Sequence, residues 1–249
     1  MFNTNERWDK FMWECILCSA LNNQENEHIR EASCCISCGS TWRARAVTLA
    51  TITGLGYEPM PLSRIKSDWS RVGLGISDDI NVASRLSSKF FYNNTYFDTF
   101  PNLDIRKVPE IAKDRFEFVN CSDVLEHIDT ELDLAVRGLR NLLHRNGFAV
   151  ISVPISADVG HLEFYPDLRS FSINDDVVGW NDKNNISHED INPEFHGGRG
   201  QNLAFRRFSN ESIKELLTKS GFISVSQSPA APDLGIPNIL FPGVYTARI

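Results

Sequence analysis

The sequence predicts an α/β fold, a mostly parallel sheet covered by helices and preceded by a small cysteine module. Three observations predict it. The stretch Phe116 to Ile155 reads strand, loop, helix, turn, strand; five of the six cysteines fall between Cys15 and Cys38; and a helix-then-strand pattern runs from Phe208 to Ser226.

In the central stretch, Phe116, Phe118 and Val119 begin an apolar run that breaks at Asn120-Cys121-Ser122-Asp123, a strand ending at a polar lip. Asp129 or Thr130 can cap the helix beyond the lip. Leu132, Val136, Leu139 and Leu143, backed by Ala135 and Leu142, recur at helical spacing. Glu131 and Asp133 near the amino end and Arg137, Arg140 and Arg145 toward the carboxyl end match the helix dipole, and Asn146-Gly147 supplies the stop. Phe148 to Val153, closed by Pro154, is the near-continuous apolar run of a strand buried on both faces of a parallel sheet. Two such strands joined by a helix form a right-handed crossover, and ligands bind beyond the carboxyl ends of strands in open sheets. The lip Cys121-Ser122-Asp123 is therefore the first place to expect chemistry.

The heptapeptide Ser122-Asp123-Val124-Leu125-Glu126-His127-Ile128, with the helix, Gly turn and Val153-Pro154 after it, resembles a segment of class I S-adenosylmethionine-dependent methyltransferases. The run from Phe208, with a Ser209 or Asn210 cap, a stop at Gly221 and the strand Phe222 to Ser226, resembles the ending of the same family, and Leu240 to Arg248 closes the sheet. The resemblance spans about Gly73 to Ile249. It implies a Rossmann-like methyltransferase sheet with an antiparallel last strand, S-adenosylmethionine as cofactor, and methyl transfer to an oxygen or nitrogen of a small polar acceptor, a sugar being the expected class. The alternative is a protein of the same fold that binds or scaffolds without catalysing.

In the family the first strand runs into a D/E-x-G-x-G loop, and the second ends in an acid that binds ribose hydroxyls. Only Arg71-Val-Gly-Leu-Gly-Ile-Ser-Asp-Asp79, with a helix expected over Ile80 to Phe90, offers such a loop here. In one register Gly73-x-Gly75 is a shortened cofactor loop and Asn94 to Asp98 is the second strand, with Asp98 in the ribose place. In the other, Val72 to Ile76 is already the second strand and the loop is lost. Ser77 and Asp78 would join the cofactor site, although Asp78 and Asp79 equally suit helix capping. Asp104 in Leu103-Asp104-Ile105 matches the acid that contacts the adenine amino group, or is a solvated loop carboxylate. Ser122 and Asp123 would face the cofactor from the lip.

The polar insertion 155–206 is too long for a plain connection and is expected to be a lid or binding loop. Phe195-His196-Gly197-Gly198 lets backbone approach a ligand while the imidazole titrates near neutral pH. His196 is the first expectation for a general base and His161 the second. Glu126 and His127 are further catalytic candidates through the resemblance, against capping and packing roles for both.

Cys15-x-x-Cys18 and Cys35-x-x-Cys38, separated by sixteen residues, have the spacing of a four-thiolate zinc site. Cys34 could replace Cys35, and His28 is a weaker ligand candidate. A closed cysteine shell leaves no open position, so the zinc would staple a ribbon over residues 1–45 ahead of a methyltransferase-like domain over 46–249. A helix is expected from Trp42 to Gly54 or Gly56, with Arg43 and Arg45 either binding an anionic group or, the favoured reading, on its solvated face. The net charge of −7 argues against a partner held by phosphate neutralisation, so nucleic acid is not expected. A nucleic-acid adaptor would need a basic surface around Arg43, Arg45 and Arg64. With no apolar run of about eighteen residues and no apolar signal core, the expectation is a cytoplasmic, membrane-free protein with a small-molecule substrate.

Overall fold

The computed structural model describes residues 12–23, 34–156, 160–198, 200–237 and 243–249. His28 lies outside them, as does 240–242 of the closing segment. The elements are β1 (Trp13–Glu14), β2 (Leu21–Asn22), α1 (Trp42–Gly54), β3 (Asp68–Ile76), α2 (Ile80–Ser87), β4 (Phe90–Thr95), β5 (Phe116–Ser122), α3 (Leu132–Leu142) and β6 (Leu143–Val153). After these come β7 (Leu162–Glu163), β8 (Leu168–Asn174), β9 (Val177–Asp182), β10 (Ser187–Asp190), β11 (Arg206–Arg207), α4 (Asn210–Lys219), β12 (Ser224–Gln227) and β13 (Gly243–Arg248).

The main sheet has the order β12-β13-β6-β5-β3-β4. Strands β4, β3, β5 and β6 are parallel, and β13 runs antiparallel to both β6 and β12. This is the Rossmann-like α/β sheet that the sequence predicts, antiparallel last strand included. The apolar runs of β5 and β6 need cover on both faces, and they get it. Helix α1 and the cysteine module pack on one face, and α3 and α4 on the other.

Strand β3 lies between β4 and β5, and Val72 to Ile76 are strand residues throughout. Each register of the sequence reading is therefore half right: β4 is the second strand, over Phe90–Thr95 and not Asn94 to Asp98, and Gly73 and Gly75 lie within a strand and not in a loop. Gly73 pairs with Phe118, where a Cβ would run into the phenyl ring. That ring stacks between Tyr92 and Phe148, with centroids 5.5 and 6.0 Å away. A Cβ on Gly75 would meet the side chains of Asn94 and Tyr92. Both glycines make room for neighbours.

Three boundaries differ from expectation. Phe90 opens β4, so α2 stops at Ser87, and Leu143 opens β6. The cap of α3 is Glu131, in the left-handed region at φ 61, and neither Asp129 nor Thr130 fills that place. Helix α1 spans the expected boundary at residue 45 and is buried nearly all round, Arg45 included. The solvated face expected for it does not exist, because the cysteine module covers one side and the sheet the other. Trp13, Ile16 and Leu17 share one apolar cluster with α1, Phe90 and Phe118.

The insertion is folded. Strands β8, β9 and β10 form an antiparallel sheet, β7 pairs with β11, and Tyr165, Val178, Leu203 and Phe205 make a small core beneath them. Among the described residues no helix is long and apolar enough to cross a membrane.

Candidate active site

A cavity of about 960 Å³ opens beyond the carboxyl ends of β3, β4 and β5, within the usual range for a small-molecule site. Ile76, Ser77 and Asp79 come from the end of β3, Tyr96 to Asp98 from the end of β4, and Ser122 to Val124 from the lip of β5. The start of α1, the loop at 103–106 and the insertion complete the wall. Of the residues singled out by sequence, Ser77, Asp98, Asp104, Ser122, Asp123, His127 and His196 line this cavity; Gly73, Gly75, Asp78, Glu126 and His161 do not.

Asp78 is buried at 4 % exposure and ties three strand ends together. It accepts from Tyr92 Oη and Ser122 Oγ, and from Asn120 Nδ2 at 3.1 Å. Burial pushes its carboxyl up, against those hydrogen bonds, which favour the charged form. Asp78 is a strut under the lip, not a ligand-facing group. Asp79 caps α2, accepting from Asn81 N at 2.7 Å. His161 is held by Glu163 at 3.1 Å and packs on Phe208, away from the cavity, so it has no reach as a base.

Asp104 caps a short turn at Ile105–Lys107, accepting from Arg106 N at 2.9 Å and Arg106 Nε at 3.1 Å. Burial alone would raise its carboxyl; the Arg106 hydrogen bonds and charge outweigh it and hold the group below its ordinary value. Arg106 reaches on to Asp129 at 3.0 Å. The turn sits close on α3 because residue 138 is glycine; a Cβ there would collide with the Ile105 carbonyl. Asp98 lies exposed past the end of β4.

Glu126, His127 and His196 come together. Glu126 is fully buried, and its Oε1 lies 3.8 Å from His127 Nε2 and 3.7 Å from His196 Nδ1, while the two imidazole nitrogens are 3.1 Å apart. Each ring's outer nitrogen has an oxygen partner: His127 Nδ1 lies 2.8 Å from Leu203 O, and His196 Nε2 lies 3.1 Å from Glu194 Oε1. Burial would raise the Glu194 carboxyl, yet hydrogen bonds from His196 and Arg207 bring it down to about 2. The chain fixes this cluster from the insertion side. Arg206 Nη1 donates to the carbonyls of Leu125 and Ile128, and Phe205 N donates to Glu126 O at 2.8 Å.

Sequence reading missed Arg106, Glu194 and Arg206, and favoured a solvated face for Arg43. Arg43 pairs with Asp123 at the lip. Its signal was position: it lies in the first turn of α1, two residues after the capping Thr41. Arg106 could have been found as the cation two residues after Asp104. Glu194 and Arg206 act through contacts across the fold and left no local signal.

The four sulfurs of Cys15, Cys18, Cys35 and Cys38 converge within 4.8 Å of one another. Cys15 and Cys38 sulfurs lie 3.8 Å apart and those of Cys18 and Cys35 3.6 Å apart, close to the ~3.8 Å expected between tetrahedral thiolates on zinc. The two turns match: Ser19 N donates to Cys15 O as Gly39 N donates to Cys35 O. Cys35 is the inward residue of its pair and Cys34 is exposed. Buried Arg45 donates to the carbonyls of Ser40 and Gly235 and stacks 4.3 Å over Trp13. Arg45 is buried, Arg43 pairs with Asp123 and Arg64 with Glu14.

No protein-family model matches the chain, and no curated protein matches it significantly. Among solved structures, it is similar to 1,6-didemethyltoxoflavin-N1-methyltransferase of Burkholderia thailandensis with bound 1,6-didemethyltoxoflavin and S-adenosylhomocysteine, at 13% identity over 83% of this chain and 77% of that one, TM-score 0.47. DesVI of Streptomyces venezuelae aligns at 12% identity over 81% of this chain and 91% of that one, TM-score 0.45. CalS10, an amino pentose methyltransferase from Micromonospora echinaspora with S-adenosylmethionine bound, aligns at 12% identity over 84% and 92%, TM-score 0.45. These scores lie below 0.5, and the fold assignment rests on the strand order and pairing of the sheet itself.

Proposed function

We propose that the protein is an S-adenosylmethionine-dependent methyltransferase acting on an oxygen or nitrogen of a small polar acceptor, a sugar being the expected class. The observation that carries this is the placement of the Ser122 to Ile128 motif at the floor of a cavity beyond β3, β4 and β5, where it meets His196 from the insertion.

The residues present suit the cofactor. Ile76, Val47, Val82, Leu103 and Ile105 offer apolar wall for a purine, and Asp98 and Asp104 offer carboxylates to hydroxyl and amino groups. The pair Arg43 and Asp123 presents one cation and one anion, the complement of an amino-acid zwitterion. When bound, the cofactor supplies an electrophilic methyl on a sulfonium centre. The chain contributes position and exclusion of water, with the insertion covering the cavity through Phe171, Phe195 and Phe205. His127 and His196, with Glu126 buried behind them, are the part of the wall equipped to handle the proton that the acceptor loses.

The cysteine module, in this reading, holds a structural zinc on Cys15, Cys18, Cys35 and Cys38, and the buried Arg45 offsets the negative charge of four thiolates. A scaffold that binds the cofactor without turnover is the second reading, favoured by the absence of a glycine loop between β3 and α2.

The test is transfer of an isotopically labelled methyl from S-adenosylmethionine to a panel of sugars and hydroxylated or aminated metabolites. Label in an acceptor, lost in Arg43→Leu, supports the enzyme. No label in any acceptor despite cofactor binding moves the reading to the scaffold.

A further inference from the structure

Glu126 Oε1, His127 Nε2 and His196 Nδ1 form a triangle with sides of 3.1, 3.7 and 3.8 Å. The circle through three points so spaced has a radius of about 2.1 Å, the distance that first-row divalent ions keep from imidazole nitrogen and carboxylate oxygen. A point equidistant from all three atoms is thus at bonding distance without moving any of them.

The tautomers are set by the outer partners. His127 Nδ1 faces a carbonyl, which can only accept, so that nitrogen carries the hydrogen and Nε2 presents its lone pair. His196 Nε2 faces the Glu194 carboxylate, so it too carries the hydrogen and Nδ1 presents its lone pair. With both rings neutral, the two bare nitrogens border one space 3.1 Å across, with the buried Glu126 carboxylate beside them. Carboxylate or carbonyl on the far nitrogen of each ring is also how ligating histidines are oriented in metal sites.

We propose that Glu126, His127 and His196 bind a divalent first-row cation at the floor of the cavity, with Glu194 and the Leu203 carbonyl as positioning groups. Two imidazoles and a carboxylate leave coordination positions open, as in catalytic zinc sites and unlike the closed cysteine shell. His127 and His196 both line the cavity, so the open positions face it.

The ligand for them is an oxygen. A cation would acidify a hydroxyl, whose proton would leave to water in the open cavity, and the oxygen would keep lone pairs to take the methyl as the C–S bond breaks and S-adenosylhomocysteine leaves, whereas an amine commits its only lone pair to the metal. Resting on the proposed activity, the site therefore selects a hydroxylated acceptor over an aminated one. His196 then acts as a metal ligand and not as a free general base.

Manganese is the probe, because a nitrogen and oxygen donor set accepts it and a thiolate shell does not favour it. Titration of the full-length, zinc-loaded protein with Mn2+, monitored by loss of the free-ion electron paramagnetic resonance signal, is expected to give one ion per chain at micromolar affinity. His196→Ala should abolish that binding, and Glu194→Gln should weaken it about 10- to 100-fold. His196 and Glu194 lie on the insertion, so these variants keep the test open should the buried Glu126→Gln fail to fold. No Mn2+ binding at millimolar concentration, or binding unchanged in both variants, overturns the site; a shared proton between the rings would give the former. S-adenosylhomocysteine affinity measured on the same samples separates this failure from failure of the methyltransferase reading. A methylated product carrying its methyl on nitrogen would overturn the oxygen selection.

Discussion

Gly73→Ala is expected to destabilise the protein through one neighbour, the ring of Phe118. A Cβ at residue 73 would fall inside the van der Waals radius of three ring atoms. The ring cannot swing away, because Tyr92 and Phe148 stack on it and Phe90 meets it edge-on with centroids 6.0 Å apart. Overpacking of a rigid core of this kind costs about 2–3 kcal/mol. Phe118→Ala alone should cost about 3–5 kcal/mol, since the ring is fully buried and the sheet closes only partly over the gap. In the double variant the new methyl enters vacated space, so most of the clash disappears, leaving a coupling of about 2 kcal/mol in favour of the pair. Urea unfolding of the four proteins, with zinc present throughout and equal m-values as the check on comparability, measures that coupling. Destabilisations that add to within about 0.5 kcal/mol would refute the packing role. A stable Gly73→Ala that no longer binds S-adenosylhomocysteine would return Gly73 to a cofactor loop.

Arg45→Met should cost about 3 kcal/mol, because the buried carbonyls of Ser40 and Gly235 lose their donor, and should loosen zinc retention under chelator challenge. Gly138→Ala should lower the thermal midpoint by forcing the Ile105 turn off α3, and should weaken cofactor binding along with it, since Asp104 caps that turn; a midpoint equal to the parent's contradicts the close approach. The depressed Asp104 carboxyl contributes stability that is present above its unfolded value near about 3.9 and lost as pH falls through the lower folded one. Stability measured from neutral pH into acid should therefore fall less steeply in Asp104→Asn than in the parent.

The parts of the fold legible in the sequence were those with strong local periodicity. Strands β5 and β6, helix α3 between them and the Ser209 start of α4, where Ser212 completes a capping box, all exist where the pattern places them, although α3 ends at Leu142 and β6 opens at Leu143, ahead of the expected Asn146-Gly147 stop. The cysteine spacing likewise placed four sulfurs together, and the convergence picks out Cys35 over Cys34. Burial of α1 was illegible because its cover comes from distant segments, so Arg43 and Arg45 looked like a solvated face. The insertion looked polar because its strands are largely exposed, and its small core draws single residues from well-separated positions.

Within the site, the sequence singled out Glu126, His127 and His196 separately. Their union depends on Arg206 and Phe205 folding the insertion back onto residues 125–128, which no local pattern encodes. The glycines misled for the opposite reason. A G-x-G pair has the same composition whether it admits a ligand or a phenyl ring, and only the pairing of Gly73 with Phe118 decides between them.

The most direct test of the central claim is calorimetric titration of the zinc-loaded protein with S-adenosylhomocysteine, run beside Asp104→Ala and Arg43→Leu. Micromolar binding to the parent, weakened in both variants, is the predicted result. Absence of heat at millimolar ligand, or binding indifferent to both substitutions, would contradict a cofactor site in this cavity.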